Sequence, residues 1–78
     1  MRPKQPRLIV SFHTTAEAIA TETVCRRRGL DGKLISVPRS VTSDCGLAWS
    51  APPELDEALR QLLAESGVEP AGFHHLTV

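Results

Sequence analysis

The stretch Thr42-Ser43-Asp44-Cys45-Gly46-Leu47-Ala48 sets a cysteine between a short polar loop and an apolar, strand-like run. A thiol in that setting can serve as a nucleophile or accept a sulfur or selenium atom. The glycine that follows lets other backbone approach closely. A cysteine kept for packing belongs inside an apolar run, because free cysteine is among the most buried residue types. Cys45 therefore points to chemistry, whereas Cys25, set near Ile19 and Val24 on a helical segment, reads as a small core residue. Ser43 and the Gly46 amide are placed to donate hydrogen bonds to an anion on the sulfur, and Arg39 would add a positive charge. Asp44 works the other way, since a neighbouring carboxylate disfavours a thiolate.

The elements that must position this cysteine can be read along the chain. Leu8-Ile9-Val10-Ser11-Phe12 is short, apolar and β-branched, as a buried strand is. Thr14-Thr15-Ala16-Glu17 has the form of a capping box, and the spacing predicts a helix to about Arg28 with Gly29 as its left-handed terminator. Ala16, Ile19, Ala20 and Val24 would form its apolar stripe, with Cys25 or Thr23 beside it. Leu30-Asp31-Gly32 is a turn, and Lys33 to Val37 is a second strand stopped by Pro38. After the polar loop from Arg39 to Asp44, Gly46 to Trp49 forms a third strand. Ser50, Pro52 and Pro53 mark the start of a second helix, Glu54 to Glu65, with Leu55, Ala58, Leu59, Leu62 and Leu63 on one stripe and Gly67 at its end. Gly72 to Val78 forms a last strand.

The order β-α-β-β-α-β predicts an α+β fold of ferredoxin-like type: a four-stranded antiparallel sheet with both helices on one face. In that topology the end of strand one, the start of helix one and the loop between strands two and three share one edge. Cys45 would then lie near His13, Thr14 and Thr15, and near Arg39. Counting by twos, it has the parity of Leu47 and Trp49, so its sulfur would point toward the amino end of helix one, where orphan amides favour an anion.

Composition narrows the function classes. The 78 residues allow one small domain, expected over residues 8–78 behind a loose basic tail at 1–7. Three aromatics, Phe12, Trp49 and Phe73, are too few for a single-strand stacking platform, and no basic stripe runs along the chain, so nucleic acid is not expected. No segment has the apolar length of a membrane span, and a soluble cytoplasmic protein with reduced thiols is the expectation. Residues 1–39 hold eight Lys or Arg against three acids, and residues 40–78 hold one Arg against six acids. The run Arg26-Arg27-Arg28 suits a helix C-terminus, where cations complement the dipole.

The run Pro38-Arg39-Ser40-Val41-Thr42-Ser43-Asp44-Cys45-Gly46-Leu47-Ala48 resembles the selenium/sulfur carrier protein-like family, a small bacterial domain family. The similarity extends over almost the whole chain after residue 7, including Phe12-His13-Thr14, Gly29 and Pro52-Pro53. The resemblance implies that Cys45 carries the chalcogen as a persulfide or selenopersulfide, passing it between a donor and an acceptor protein without a bound cofactor. The resemblance thus implies a stoichiometric carrier more than a true enzyme. Established small sulfur-transfer proteins present cysteine in a Cys-Pro-x-Pro motif at a helix start. Here Cys-Gly-Leu-Ala enters a strand, so any likeness to them is one of role. Trp49 stands where an aliphatic residue is more usual.

Other chemistries fit less well. His13, His74, His75, Cys25 and Cys45 are metal-ligating types, but no C-x-x-C or H-x-x-x-H spacing joins them. A thiol hydrolase would need His13 as base to Cys45, and so small a chain offers little room for a substrate pocket. The rival is a non-catalytic interaction or regulatory module, in which an exposed sheet edge takes a partner or builds a homodimer.

Overall fold

The computed structural model describes residues 4–41 and 45–78. Its elements run β1 (Pro6–Ser11), α1 (Thr15–Arg28), β2 (Lys33–Ser36), β3 (Leu47–Ala51), a 3-10 turn (Pro53–Leu55), α2 (Asp56–Glu65) and β4 (Gly72–Thr77). The strands form one antiparallel sheet in the order β2-β3-β1-β4. Its register is regular: Leu8 pairs with Ala51 and with His75, Val10 with Trp49 and Phe73, and Leu34 with Trp49. β1 begins at Pro6, two residues earlier than expected, and Gln5 exchanges two backbone hydrogen bonds of 3.0 Å with Val78. Residues 5–7, expected in a loose tail, are thus tied into the sheet by the edge strand's need for a partner.

Alternation along the strands sorts the side chains onto two faces. Leu8, Val10 and Phe12 of the first strand, with Trp49 and Ala51 of β3, join Ala18 and Cys25 of α1 and Leu59, Leu62 and Leu63 of α2 in one buried cluster. α2 presents the expected leucines, but its α-helical part starts at Asp56, and Ser50 belongs to β3. The strand runs on to Ala51 because Leu8 and Ile9 are there to pair with Ala51 and Ser50. Ala58 is exposed, outside the stripe it was expected to join.

The expected face of α1 is turned in part: Val24 packs against the core and Cys25 lies within it, as expected. Ala18, Thr21 and Cys25 point inward and are fully buried, while Ala16 is exposed and Ile19 is 51% exposed. The sheet already supplies Trp49 and Phe12 beneath the helix, so small side chains fit there and isoleucine does not. Thr21 can be buried because its hydroxyl donates to the Glu17 carbonyl at 3.0 Å. The helix ends as expected: Thr14 Oγ1 accepts from the Glu17 amide at 3.2 Å, and Gly29 closes the last turn with φ 70°. Arg26, Arg27 and Arg28 occupy that turn, and Arg28 reaches Glu65 of α2 at 3.8 Å. Both partners are exposed, so this link between the basic and acidic halves contributes little.

Trp49 shapes the turn before β2. Its indole lies so close to Gly32 that an added Cβ there would sit 2.5 Å from ring atoms. Exchanging Gly32 for alanine should therefore force the buried ring to move and destabilise the protein by about 1–3 kcal/mol. Urea unfolding followed by Trp49 fluorescence would measure it, with a lowered midpoint at unchanged slope as the expected outcome.

A second tie joins β4 to α2. Asp56 accepts from Arg60 and lies 2.5 Å from His75 Nε2, while the Arg60 guanidinium stacks 4.1 Å from the centre of the Phe73 ring. Hydrogen bonds from Arg60, and then from His75, hold the Asp56 carboxyl below its ordinary value. A lowered carboxyl pKa stabilises the fold above the ordinary aspartate range, and the effect is lost as pH falls through the folded value. Asp56→Asn should therefore narrow the gap in melting temperature between neutral and acid pH, an effect kept small by solvent exposure and read by thermal melts across that range.

Candidate functional site

The register fixes which residues share an end of the sheet with Cys45. The β1–β3 pairing ends at Ser11–Ala48, so the chain that leaves β1 for α1 and the residues that enter β3 lie at the same end of the sheet. On the other side Val37 donates to the Gly46 carbonyl at 3.0 Å, which carries the β2–β3 ladder to the level of Pro38 and Cys45. A turn closed by Val41 N–H to the Pro38 carbonyl follows, with Arg39 and Ser40 exposed at its tip. Antiparallel pairing thus gathers Cys45, the entry to α1 and the Arg39 turn at one end of the sheet. Ser43 and Asp44, expected beside the sulfur, lie outside the described residues.

Cys45 is half-buried and packs against the shared core, on the same side as Leu47 and Trp49. Its Sγ accepts from the Leu47 amide at 3.4 Å and lies 3.5 Å from the Leu47 carbonyl. These contacts fold the residue back over its own strand start. Gly46 adopts φ 76°, a left-handed conformation that side chains rarely take, and a Cβ there would meet nothing within 4 Å. The requirement at Gly46 is therefore one of backbone conformation rather than space. It lets the chain turn from the loop into β3 directly after the cysteine.

The amino end of α1 carries the reciprocal bonds of the capping box. Glu17 Oε1 accepts from the His13 amide at 2.9 Å and from the Thr14 amide at 3.3 Å. The Glu17 carboxylate thus satisfies the two amides that precede the helix. The capping box was legible in the sequence, down to the Glu17 carboxylate reaching back. His13 and Thr14 are exposed, and the Thr14 hydroxyl is engaged in the cap.

The second cysteine has a different environment. Cys25 is fully buried in the core, and that burial pushes its thiol up to about 11. It stays protonated at neutral pH, which suits packing and not nucleophilic chemistry. No disulfide joins the two cysteines.

The histidines of β4 are held apart. His74 Nε2 lies 3.2 Å from the Ser11 hydroxyl, with the ring folded over Gly72, while His75 turns to Asp56. Neither pairing was visible in the sequence, because each joins residues far apart in the chain. Asp56 and Arg60, spaced by four on a helix, were the one local signal. Among the described residues no group of three or more His, Cys, Asp or Glu is arranged to hold a metal. Nor is any described helix long and apolar enough to cross a membrane.

Residues 7–75 match a protein-family model described as "Putative Se/S carrier protein-like". No curated protein and no solved structure matches the chain. The family match takes in both cysteines, the capping box, the Arg39 turn and nearly all of the four strands. The chain therefore belongs to the Se/S carrier protein-like family.

Proposed function

We propose that the protein is a sulfur or selenium carrier that holds the chalcogen on Cys45 as a persulfide or selenopersulfide. The observation that carries this reading is the contrast between its two thiols. Cys25 is sealed in the core, and Cys45 stands half-buried at a loop-to-strand junction inside the family match. Loading is a thiol exchange. The Cys45 thiolate attacks the terminal sulfur of a donor persulfide, the new S–S bond forms as the donor's S–S bond breaks, and the donor cysteine leaves as a thiolate. Delivery repeats the step with an acceptor thiolate, so no external oxidant or reductant is consumed. Selenium would pass in the same way.

In this reading the Gly46 conformation presents the sulfur at the sheet end, the Leu47 amide supplies a hydrogen bond to it, and Arg39, His13 and Thr14, at the same end of the sheet, are the supporting residues, together with Ser43, which lies outside the described residues. The fold is assigned to the ferredoxin-like type, supported by the β2-β3-β1-β4 order and the cluster common to α1 and α2. Partners are a donor and an acceptor protein, and a cytoplasmic setting suits two thiols that must stay reduced.

The test is mass spectrometry under non-reducing conditions after incubation with a cysteine desulfurase and cysteine. Wild type should gain the mass of one sulfur, mapped to Cys45 and removed by reductant. Cys25→Ser should load as wild type does, and Cys45→Ser should not load while melting at an unchanged temperature. If Cys45 stays unmodified while a known carrier loads alongside it, the non-catalytic interaction module becomes the better reading.

A second readout needs no partner. In the folded protein iodoacetamide should alkylate Cys45 and spare Cys25, which should react only once denaturant opens the core. Equal labelling of the two in native buffer would remove the contrast on which the reading rests.

A further inference from the structure

The last strand of the sheet offers part of its backbone outward. Gln5 and Val78 exchange both of their backbone hydrogen bonds at 3.0 Å, which makes them a closely bonded antiparallel pair. By alternation Arg7–Leu76 and Ile9–His74 are bonded in the same way, so Gly72, His74 and Leu76 turn their N–H and C=O groups toward β1. Pro6, which has no N–H, faces Thr77 at a position that needs none. The N–H and C=O groups of Phe73, His75 and Thr77 therefore point away from the sheet. β4 stands at the end of the strand order, and among the described residues no backbone group bonds to these from outside.

The two edges of the sheet are protected differently. β2, at the other end, is four residues long, begins with Lys33 and is soon followed by Pro38. Short length, lysine and proline are the means by which sheets discourage edge pairing. β4 has six residues, with no proline and no Lys, Arg, Asp or Glu among them. Leu76 is half-exposed on it, and Val78, directly after it, is 46% exposed. Such an edge carries nothing that opposes a further strand.

From this we infer that β4 pairs antiparallel with β4 of a second copy, across a twofold axis at His75. In this register the outward groups of His75 meet those of His75 in the other copy, and those of Phe73 meet those of Thr77. Any other register leaves at least one of them with no opposite number in the partner strand. Opposite residues share a face of the sheet. On the helix side an aromatic ring meets a β-branched residue, Phe73 with Thr77, and each His75 is held by its own Asp56 at 2.5 Å. On the other side Val78 lies opposite Gly72, which has no side chain to obstruct it, and Leu76 opposite His74. No Lys, Arg, Asp or Glu meets its like. A strand from another protein has no charge on β4 to select it, whereas the second copy matches every outward group and covers both apolar residues. The pairing is isologous and closes at two copies, because the β2 edge resists adding more. The inference is independent of the chemistry at Cys45, since β1 and β3 lie between that site's loop and β4.

The experiment is sedimentation equilibrium of the whole protein from micromolar to millimolar concentration, with amide hydrogen exchange read by NMR. A dimer is expected in that range, with the Phe73, His75 and Thr77 amides protected in it and those of Leu34 and Ser36, on the β2 edge, unprotected. Thr77→Lys, at an exposed site, would set an ammonium near the Arg60 guanidinium that stacks 4.1 Å from the centre of the opposing Phe73 ring. It should weaken the dimer about tenfold through the like charges of its two symmetric contacts. Thr77→Glu meets the same guanidinium and should leave the dimer intact, and a melting curve for each variant checks that it folds. A monomer throughout the range overturns the inference. So do protection of these amides in a sample that sediments as a monomer, protection gathered at Leu34 and Ser36 instead, and equal weakening by the two substitutions. Growth into ever larger species with concentration would replace the closed pair with head-to-tail pairing of unlike edges and overturn it as well.

Discussion

β1 lies between β3 and β4, and the packing of the whole molecule depends on that central position. Every side chain from Leu8 to Phe12 is buried, on both faces of the strand. A strand paired on both sides has no free edge, so its polar backbone is satisfied and both rows of side chains can leave water. Those two rows then define the two faces. One meets the helices through Leu8, Val10 and Phe12, and the other lies beneath Arg7, Ser50 and His74. A slip of one residue in the β1–β3 register would exchange the rows, setting Ser11 against the helices and Phe12 against solvent.

The same register builds the Cys45 end. Antiparallel pairing to β1 on one side and β2 on the other sets the entry to α1 and the Arg39 turn at the same end of the sheet as Cys45. Beside the thiol the Leu47 amide donates to Sγ, and Gly46 takes the left-handed conformation that turns the chain into β3.

Polar residues in the sheet are satisfied in pairs that cross between strands, Arg7 with Ser50 and Ser11 with His74, whereas Thr21 is satisfied within its own helix. The indole nitrogen of Trp49 has no hydrogen-bond partner among the described residues. The ring's value is its volume, which fills the space above Gly32.

Sequence alone determined the features set by neighbours a few residues away. The capping box at Thr14 and Glu17, the Gly29 terminator, the leucines of α2 and the parity of Cys45 with Leu47 and Trp49 all follow from short-range geometry, and the order of elements followed from the strand and helix periods. It also set Cys45 apart from Cys25, because one adjoins a polar loop and the other an apolar helical stretch. Tertiary structure decided which face of α1 turns inward. Periodicity favoured Ile19, but Ala18, Thr21 and Cys25 are the fully buried residues of the helix, with Val24 packed against the core, and no local pattern records the shape of that interface. It decided as well that β1 starts at Pro6, since Gln5 is ordered by Val78 at the far end of the chain. The partners of His74 and His75 were likewise its choice, because Ser11 and Asp56 come within reach only once the sheet has closed and α2 has docked on it.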